Sequence, residues 1–162
     1  AEFTIGLIIA ISRNSFQSWQ SLRNETWQKK AFLGSELRNK KLGIIGCGRI
    51  GQRVAEIASH GFDMKVVGFD IMADESSVIS FVDMDTLLLT ADYITLHLPK
   101  QSFLVIGREE LKKMKKTAFL VNTSRGGNVD EEALYFALKE KWIAGAALDV
   151  YREEGKDCQG PY

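Results

Sequence analysis

Gly46, Gly48 and Gly51 stand in the order Gly-x-Gly-x-x-Gly, and Asp70 follows the last of them by nineteen residues. Glycines at that spacing let a chain turn tightly, bring its backbone against a diphosphate and lay a helix close to a strand. An acid at such a distance reaches the ribose hydroxyls of an adenosine, and its charge repels a 2′-phosphate. The pattern describes a dinucleotide site that prefers NAD to NADP; the plainer alternative is a glycine-rich turn in another parallel α/β protein. A second polar run, Asn122, Thr123, Ser124, Arg125, Gly126 and Gly127, leads into Val129, Asp130 and Glu131. An arginine there, followed by a glycine that frees the backbone, can grip a carboxylate through two parallel hydrogen bonds. An arginine in a surface turn accounts for the same spacing equally well.

These residues need elements to position them. Leu42, Ile44 and Ile45 form an apolar run before Gly46, and Val54, Ile57 and Ala58 recur at helical spacing after Arg49. A second apolar run, Val66 to Phe69, ends in Asp70. Strand, glycine turn, helix and strand place a diphosphate at the free N–H groups of the helix that starts near Arg49. Upstream, Phe3, Leu7, Ile8 and Ile11 share one helical face and are followed by Phe16 and Trp19, so the first two dozen residues read as a largely buried helix. Residues 24–40 have no sustained period, and their Arg38, Asn39, Lys40 corner turns because Asn tolerates a left-handed conformation.

Downstream of Asp70 a polar loop leads to a short strand at Val78 to Val82, and Asp83 caps a helix carrying Leu87 and Leu88. Tyr93 to Leu98 is a strand halted by Pro99, Arg108 to Lys116 a helix, and Ala118 to Val121 a strand ending at Asn122. Asp130 caps a helix over Glu131 to Lys141 with Leu134, Ala137 and Leu138 inward, and Gly145 to Val150 is a last buried strand.

Strands alternating with helices predict an α/β fold: a Rossmann-type doubly wound parallel sheet with helices on both faces and ligands at the carboxyl ends of the strands. Those ends are Gly46 to Gly48, Asp70, Leu98 and Pro99, Asn122 to Gly126, and Asp149. The 162 residues fit one domain with its own core, and 21 basic residues balance 21 acidic ones. That balance argues against nucleic acid and anionic membranes as partners. Cys47 and Cys158 form neither a disulfide framework nor a metal-ligand spacing, which suggests a reducing, cytoplasmic setting and no metal. The apolar run in Ala1 to Ile11 is too short to span a bilayer and lacks the pattern of a signal peptide. Cys47, at a helix N-terminus, is placed where a thiolate is stabilised, although a small side chain at a variable position is the simpler reading.

With these stretches in order, the chain closely resembles the D-isomer-specific 2-hydroxyacid dehydrogenases. LGIIGCGRIG, LHLP at 96–99, LVNTSRGGNVDEEAL at 120–134 and AGAALDVYREE at 144–154 each look like that family's signatures. The resemblance implies an NAD-binding domain over residues 1–154, including the N-terminal helix, and a truncated polar tail at 155–162. It implies that Gly46, Gly48, Arg49, Ile50 and Gly51 hold the pyrophosphate and Asp70 the adenosine ribose. Leu98, Pro99 and Ser124 line the cofactor, and Thr123 and Asp149 lie near the nicotinamide. Arg125 matches the arginine that binds the substrate's carboxylate and keto oxygen, and Glu154 the acid that pairs with a catalytic histidine. The implied activity interconverts a small 2-keto acid and a D-2-hydroxy acid by hydride transfer, in a protein that commonly dimerises through this domain.

Neither His60 nor His97 occupies the family's acid/base position, and His97 is the one expected to line the nucleotide crevice. The substrate domain is absent from the chain, which reads as a fragment that binds NAD without turnover. The loop KQSFLVIG is shorter than its family counterpart, and Gly155 replaces a common proline. A non-catalytic NAD-binding interaction module, as in corepressors that share this fold, is the alternative function.

Overall fold

The computed structural model describes residues 1–27, 30–72 and 76–153. Helices α1 (Glu2–Ser12) and α2 (Ser15–Arg23) precede β1 (Lys41–Ile45), α3 (Arg49–Phe62), β2 (Lys65–Phe69) and β3 (Ser80–Phe81). Then come α4 (Met84–Thr90), β4 (Tyr93–Leu96), α5 (Arg108–Lys113), β5 (Phe119–Asn122), a 3-10 turn at Gly126–Asn128, α6 (Glu131–Lys139) and β6 (Gly145–Leu148). All paired strands run parallel, in the order β3-β2-β1-β4-β5-β6. The order reverses between β1 and β4, and that reversal opens a crevice above their carboxyl ends.

Two apolar layers follow from this winding. One face packs Ile5 and Ile8 of α1 and Val54, Ala55 and Ala58 of α3 against Leu42, Ile44 and Val121. The other packs Leu87 and Leu88 of α4, Leu111 of α5, and Leu134 and Ala137 of α6 against Ile45, Ile94, Leu96 and Leu120. Strands covered on both faces read as continuous apolar runs, which is why β1, β4 and β5 stand out in the sequence. Both expected caps form: Asp83 accepts the Thr86 N–H at 2.8 Å and Asp130 the Ala133 N–H at 3.0 Å.

The beginning of the chain differs from its sequence reading. Asn14 takes a left-handed conformation (φ 51°) and divides the expected single helix into α1 and α2. Only Thr4, Ile5, Ile8 and Ser12 of α1 are buried, one stripe at helical spacing, and α2 buries nothing. Phe3, Phe16 and Trp19 remain more than half exposed; the Phe16 and Trp19 rings meet each other at 6.2 Å, and Arg23 covers Trp19. Apolar period alone registers a face without saying whether anything covers it.

Other boundaries shift for local reasons. β4 ends at Leu96, two residues early, once the His97 N–H has bonded Ile45 O at 2.8 Å and the chain rises out of the ladder. α5 stops at Lys113 because Met114 turns extended, and α6 stops at Lys139 ahead of Lys141, whose φ is +56°. β6 ends at Leu148 and is half-buried along its length as the sheet's outer strand, and Leu138 points outward. β3 contracts to Ser80–Phe81, inside the expected 78–82. The Asn39 corner is left-handed, as its residue type suggests. No helix is long and apolar enough to cross a membrane among the described residues.

Candidate functional site

At the carboxyl end of β1, Gly46 has φ +91° and donates its N–H to Phe69 O at 3.0 Å, turning the chain sharply over β2. A Cβ there would also meet the His97 carbonyl at 2.9 Å. Gly48 caps α3 with an ordinary φ of −70°, and a Cβ added to it would meet nothing within 4 Å. Gly51 sits in the first turn of α3, where a Cβ would fall 2.3 Å from Gly46 O. One glycine supplies a turn, one leaves open space at a helix N-terminus, and one lets helix and turn touch. These are the three separate requirements of a diphosphate cradle.

Asp70 directly follows β2 and its carboxylate is held at both oxygens, accepting the Cys47 N–H at 2.7 Å and the Met72 N–H at 2.9 Å. A carboxylate oxygen has a second lone pair beyond the one each of these bonds uses. Ile71 and Met72, beside it, are 90 % and 83 % exposed, an apolar surface that the polar look of the following loop hides in the sequence. Cys47 itself is buried, and its thiol is pushed up to about 12 by burial and by the Asp70 charge. The thiolate suggested by its place at a helix N-terminus therefore does not form near neutral pH.

Across the switch point, Gly48, Arg49, Ile50, His97, Leu98, Pro99, Thr123, Ser124 and Arg125 line one cavity of about 450 Å³. His97 does line the crevice, as expected, with Nε2 3.1 Å from the Thr95 hydroxyl. Burial lowers its pKa from 6.5 to about 4, so the ring is neutral at pH 7. Between those values the unfolded chain binds a proton that the folded chain refuses, so the associated stability is complete above pH 6.5 and declines as pH falls toward 4. The expected loss is on the order of 3–4 kcal/mol, because each tenfold drop in proton affinity on folding is worth roughly 1.4 kcal/mol. Urea unfolding across that window checks it, by showing that His97→Asn removes this component while the slope due to carboxylates persists.

The third wall is the turn after β5. Asn122, almost fully buried, accepts the Ser124 N–H at 3.0 Å and the Ser124 hydroxyl at 2.8 Å, and donates from Nδ2 to Arg125 O at 3.0 Å. Thr123 shares a hydroxyl hydrogen bond of 2.9 Å with Thr4 of α1. Arg125 is exposed, and its Nη1, one of five donors, donates to Ser124 O at 2.7 Å. A second cavity of about 620 Å³, bounded by Lys100 to Leu104, Gly126, Gly127 and Tyr151 to Glu153, shares Arg125 with the first.

The structure thus gathers Gly48, Arg49, Ile50, Leu98, Pro99, Thr123, Ser124 and Arg125 around one space, while Gly46, Gly51 and Asp70 shape the turn that leads into it and are not part of its lining. Asp149 stands at the adjoining strand end, donating its N–H to Asn122 O at 3.0 Å, and does not line that cavity. Glu154 and the tail that follows it lie outside the described residues. Gly126 has a role its sequence position does not reveal: a Cβ there would fall 1.9 Å from the Tyr151 carbonyl carbon, so the Arg125 turn packs directly on the segment leading to Glu154. Among the described residues no group of three or more His, Cys, Asp or Glu is placed to hold a metal ion.

A family model described as the D-isomer specific 2-hydroxyacid dehydrogenase NAD binding domain matches residues 5–161. A glyoxylate reductase of Thermofilum pendens is 47 % identical over 165 residues, an alignment covering 95 % of this chain and 48 % of that protein. A D-3-phosphoglycerate dehydrogenase of Methanocaldococcus jannaschii is 46 % identical over 161 residues, covering 95 % and 30 %. The NAD-complexed D-isomer specific 2-hydroxyacid dehydrogenase of Lactobacillus delbrueckii ssp. bulgaricus superposes with a TM-score of 0.85 at 34 % identity, covering 93 % and 48 %. The chain spans half or less of the length of these relatives.

Proposed function

Since the chain belongs to the D-isomer-specific 2-hydroxyacid dehydrogenases as their NAD-binding domain, we propose that it is the cofactor half of an enzyme interconverting a small 2-keto acid and a D-2-hydroxy acid. The observation that carries this reading is the division of labour among Gly46, Gly48 and Gly51 at the switch point of the sheet. In it, Gly46 to Gly51 hold the pyrophosphate, with Arg49 and Ile50 at the helix start, and Asp70 holds the adenosine ribose. Leu98, Pro99 and Ser124 form the walls, Thr123 lies near the nicotinamide, and Asp149 lies near it from the adjoining strand end, outside the cavity lining. When bound, the nicotinamide supplies or accepts the hydride exchanged with the substrate's C2.

Arg125 then binds the substrate carboxylate and polarises the keto oxygen, stabilising charge that develops there during reduction. Glu154 fixes the ring of a histidine acid/base and favours its imidazolium form. His97 does not take that part: it is neutral at pH 7 and its Nε2 bonds Thr95. Residues 1–154 constitute the domain in this reading. The working form is a cytoplasmic homodimer for which the exposed Phe16, Trp19 and Leu22 of α2 are the apolar surface.

Calorimetric titration of the purified chain with NADH and, separately, NADPH tests the proposal. Saturable NADH binding with much weaker NADPH binding is expected. Folded protein that binds neither would reduce the glycine turn to a structural feature and overturn the reading.

A further inference from the structure

The loop between β4 and α5 forms part of both cavities yet has no helix or strand from Leu98 to Leu104, and Ser102, Phe103 and Leu104 are exposed. Its anchor is one residue of the facing turn. Asn128 is completely buried; its Oδ1 accepts the Gln101 N–H at 3.1 Å, and its Nδ2 donates to Pro99 O at 3.2 Å, with longer contacts of 3.4 Å to Leu98 O and Ser124 Oγ. Its own carbonyl accepts the N–H groups of both Val105 and Ile106 at 3.0 Å. Asn128 thus touches the loop at both of its ends, and through Ser124 it joins the Asn122 network that fixes the Arg125 carbonyl.

We propose that Asn128 is a positioning residue that locks the Leu98–Gln101 loop and the Ser124–Arg125 turn together, so that the two walls of the cofactor cavity move as one body. A carboxamide suits the place because it offers an acceptor and a donor pair on opposite sides of one small plane. Leucine has nearly the same shape and neither group, and aspartate accepts but does not donate. A loop with so little secondary structure depends on such contacts, because ordering its backbone has an entropic cost that few other interactions here offset. The inference rests on the proposed cofactor site for its functional consequence, and on the hydrogen bonds alone for its structural one.

The test compares Asn128→Leu, Asn128→Asp and a control, Leu111→Ala, which opens a cavity in the core under α5. Melting temperature, tryptic cleavage after Lys100 and NADH affinity are measured for each. Asn128→Leu is expected to cleave after Lys100 well below its melting temperature and to lose NADH affinity about tenfold or more, the scale of one or two lost hydrogen bonds. Asn128→Asp, which keeps the Gln101 bond, should fall between it and the wild type, and it carries the test if the leucine variant does not fold. Leu111→Ala should lose stability and keep its NADH affinity. Unchanged cleavage and affinity in the Asn128 variants would overturn the proposal, as would a loss of affinity in Leu111→Ala in proportion to its destabilisation. Should the wild type itself fail to bind NADH, the proposed function falls, and the tryptic comparison alone decides the brace.

Discussion

Gly48→Ala is expected to lose NADH binding while melting at the wild-type temperature, and Gly51→Ala to lose stability first. The two glycines lie three residues apart and do opposite things. At Gly48 the φ of −70° suits any L residue and a Cβ would meet no protein atom within 4 Å. Its methyl group would instead project into the space where the proposed site brings a diphosphate to the α3 N-terminus, and an affinity drop of about a hundredfold corresponds to a steric cost of roughly 3 kcal/mol. At Gly51 the methyl carbon would sit 2.3 Å from Gly46 O, so helix and turn must part. Overpacking of that kind costs about 1–3 kcal/mol, or roughly 2–4 °C in melting temperature for each kcal/mol in a chain of this size. Thermal melts paired with NADH titrations separate the two outcomes. Wild-type affinity in Gly48→Ala would put the diphosphate elsewhere.

Discrimination between the two dinucleotides carries the second large effect. With Asp70 in the ribose site as proposed, the wild type should favour NADH over NADPH by about a hundredfold, because the carboxylate would accept bonds from ribose hydroxyls and repel a 2′-phosphate. Replacement by alanine confounds two effects, since the carboxylate also accepts the Cys47 and Met72 N–H groups, and the first of these belongs to a buried residue. Asp70→Asn keeps an oxygen for the backbone and removes the charge. It is expected to lower NADH affinity about tenfold and to raise that for NADPH, closing most of the gap. Asp70→Ser combined with Ile71→Arg, which places a cation at an exposed position, should invert the preference. Parallel titrations with both nucleotides read the result, and a preference unchanged in Asp70→Asn would remove Asp70 from the ribose site.

The glycine turn and the strand that ends in Asp70 are legible in the sequence because local rules determine them: a positive φ, a close approach and a continuous apolar run each leave a mark on residue type. The switch-point cavity follows from the alternation of strands and helices, which constrains topology strongly. What the sequence hides depends on partners distant along the chain. Phe16 and Trp19 carry the same period whether covered or bare, and Asn14 ends α1 without announcing that α2 will leave the sheet. Asn128 looks like one more polar turn residue until Leu98, Pro99 and Gln101 close around it. Gly126 reads as freedom for the arginine next to it, and the Tyr151 backbone lying against it becomes visible only in three dimensions.

The bond between Thr4 and Thr123 spans 119 residues and seats the first helix on the fifth strand. A chain emerging from the ribosome releases α1 long before β5 exists to receive it, so the part of its cover that Val121 supplies, and the bond to Thr123, form only after most of the sheet has been synthesised. Folding of these elements therefore cannot be completed one by one in chain order. Pairing β1 with β4 and docking α1 both wait on late contacts, the hallmark of slow, high-contact-order folding. Helix α1 is made before the strands it packs on, and until it docks, the wall of the cavity at Thr123 lacks its support.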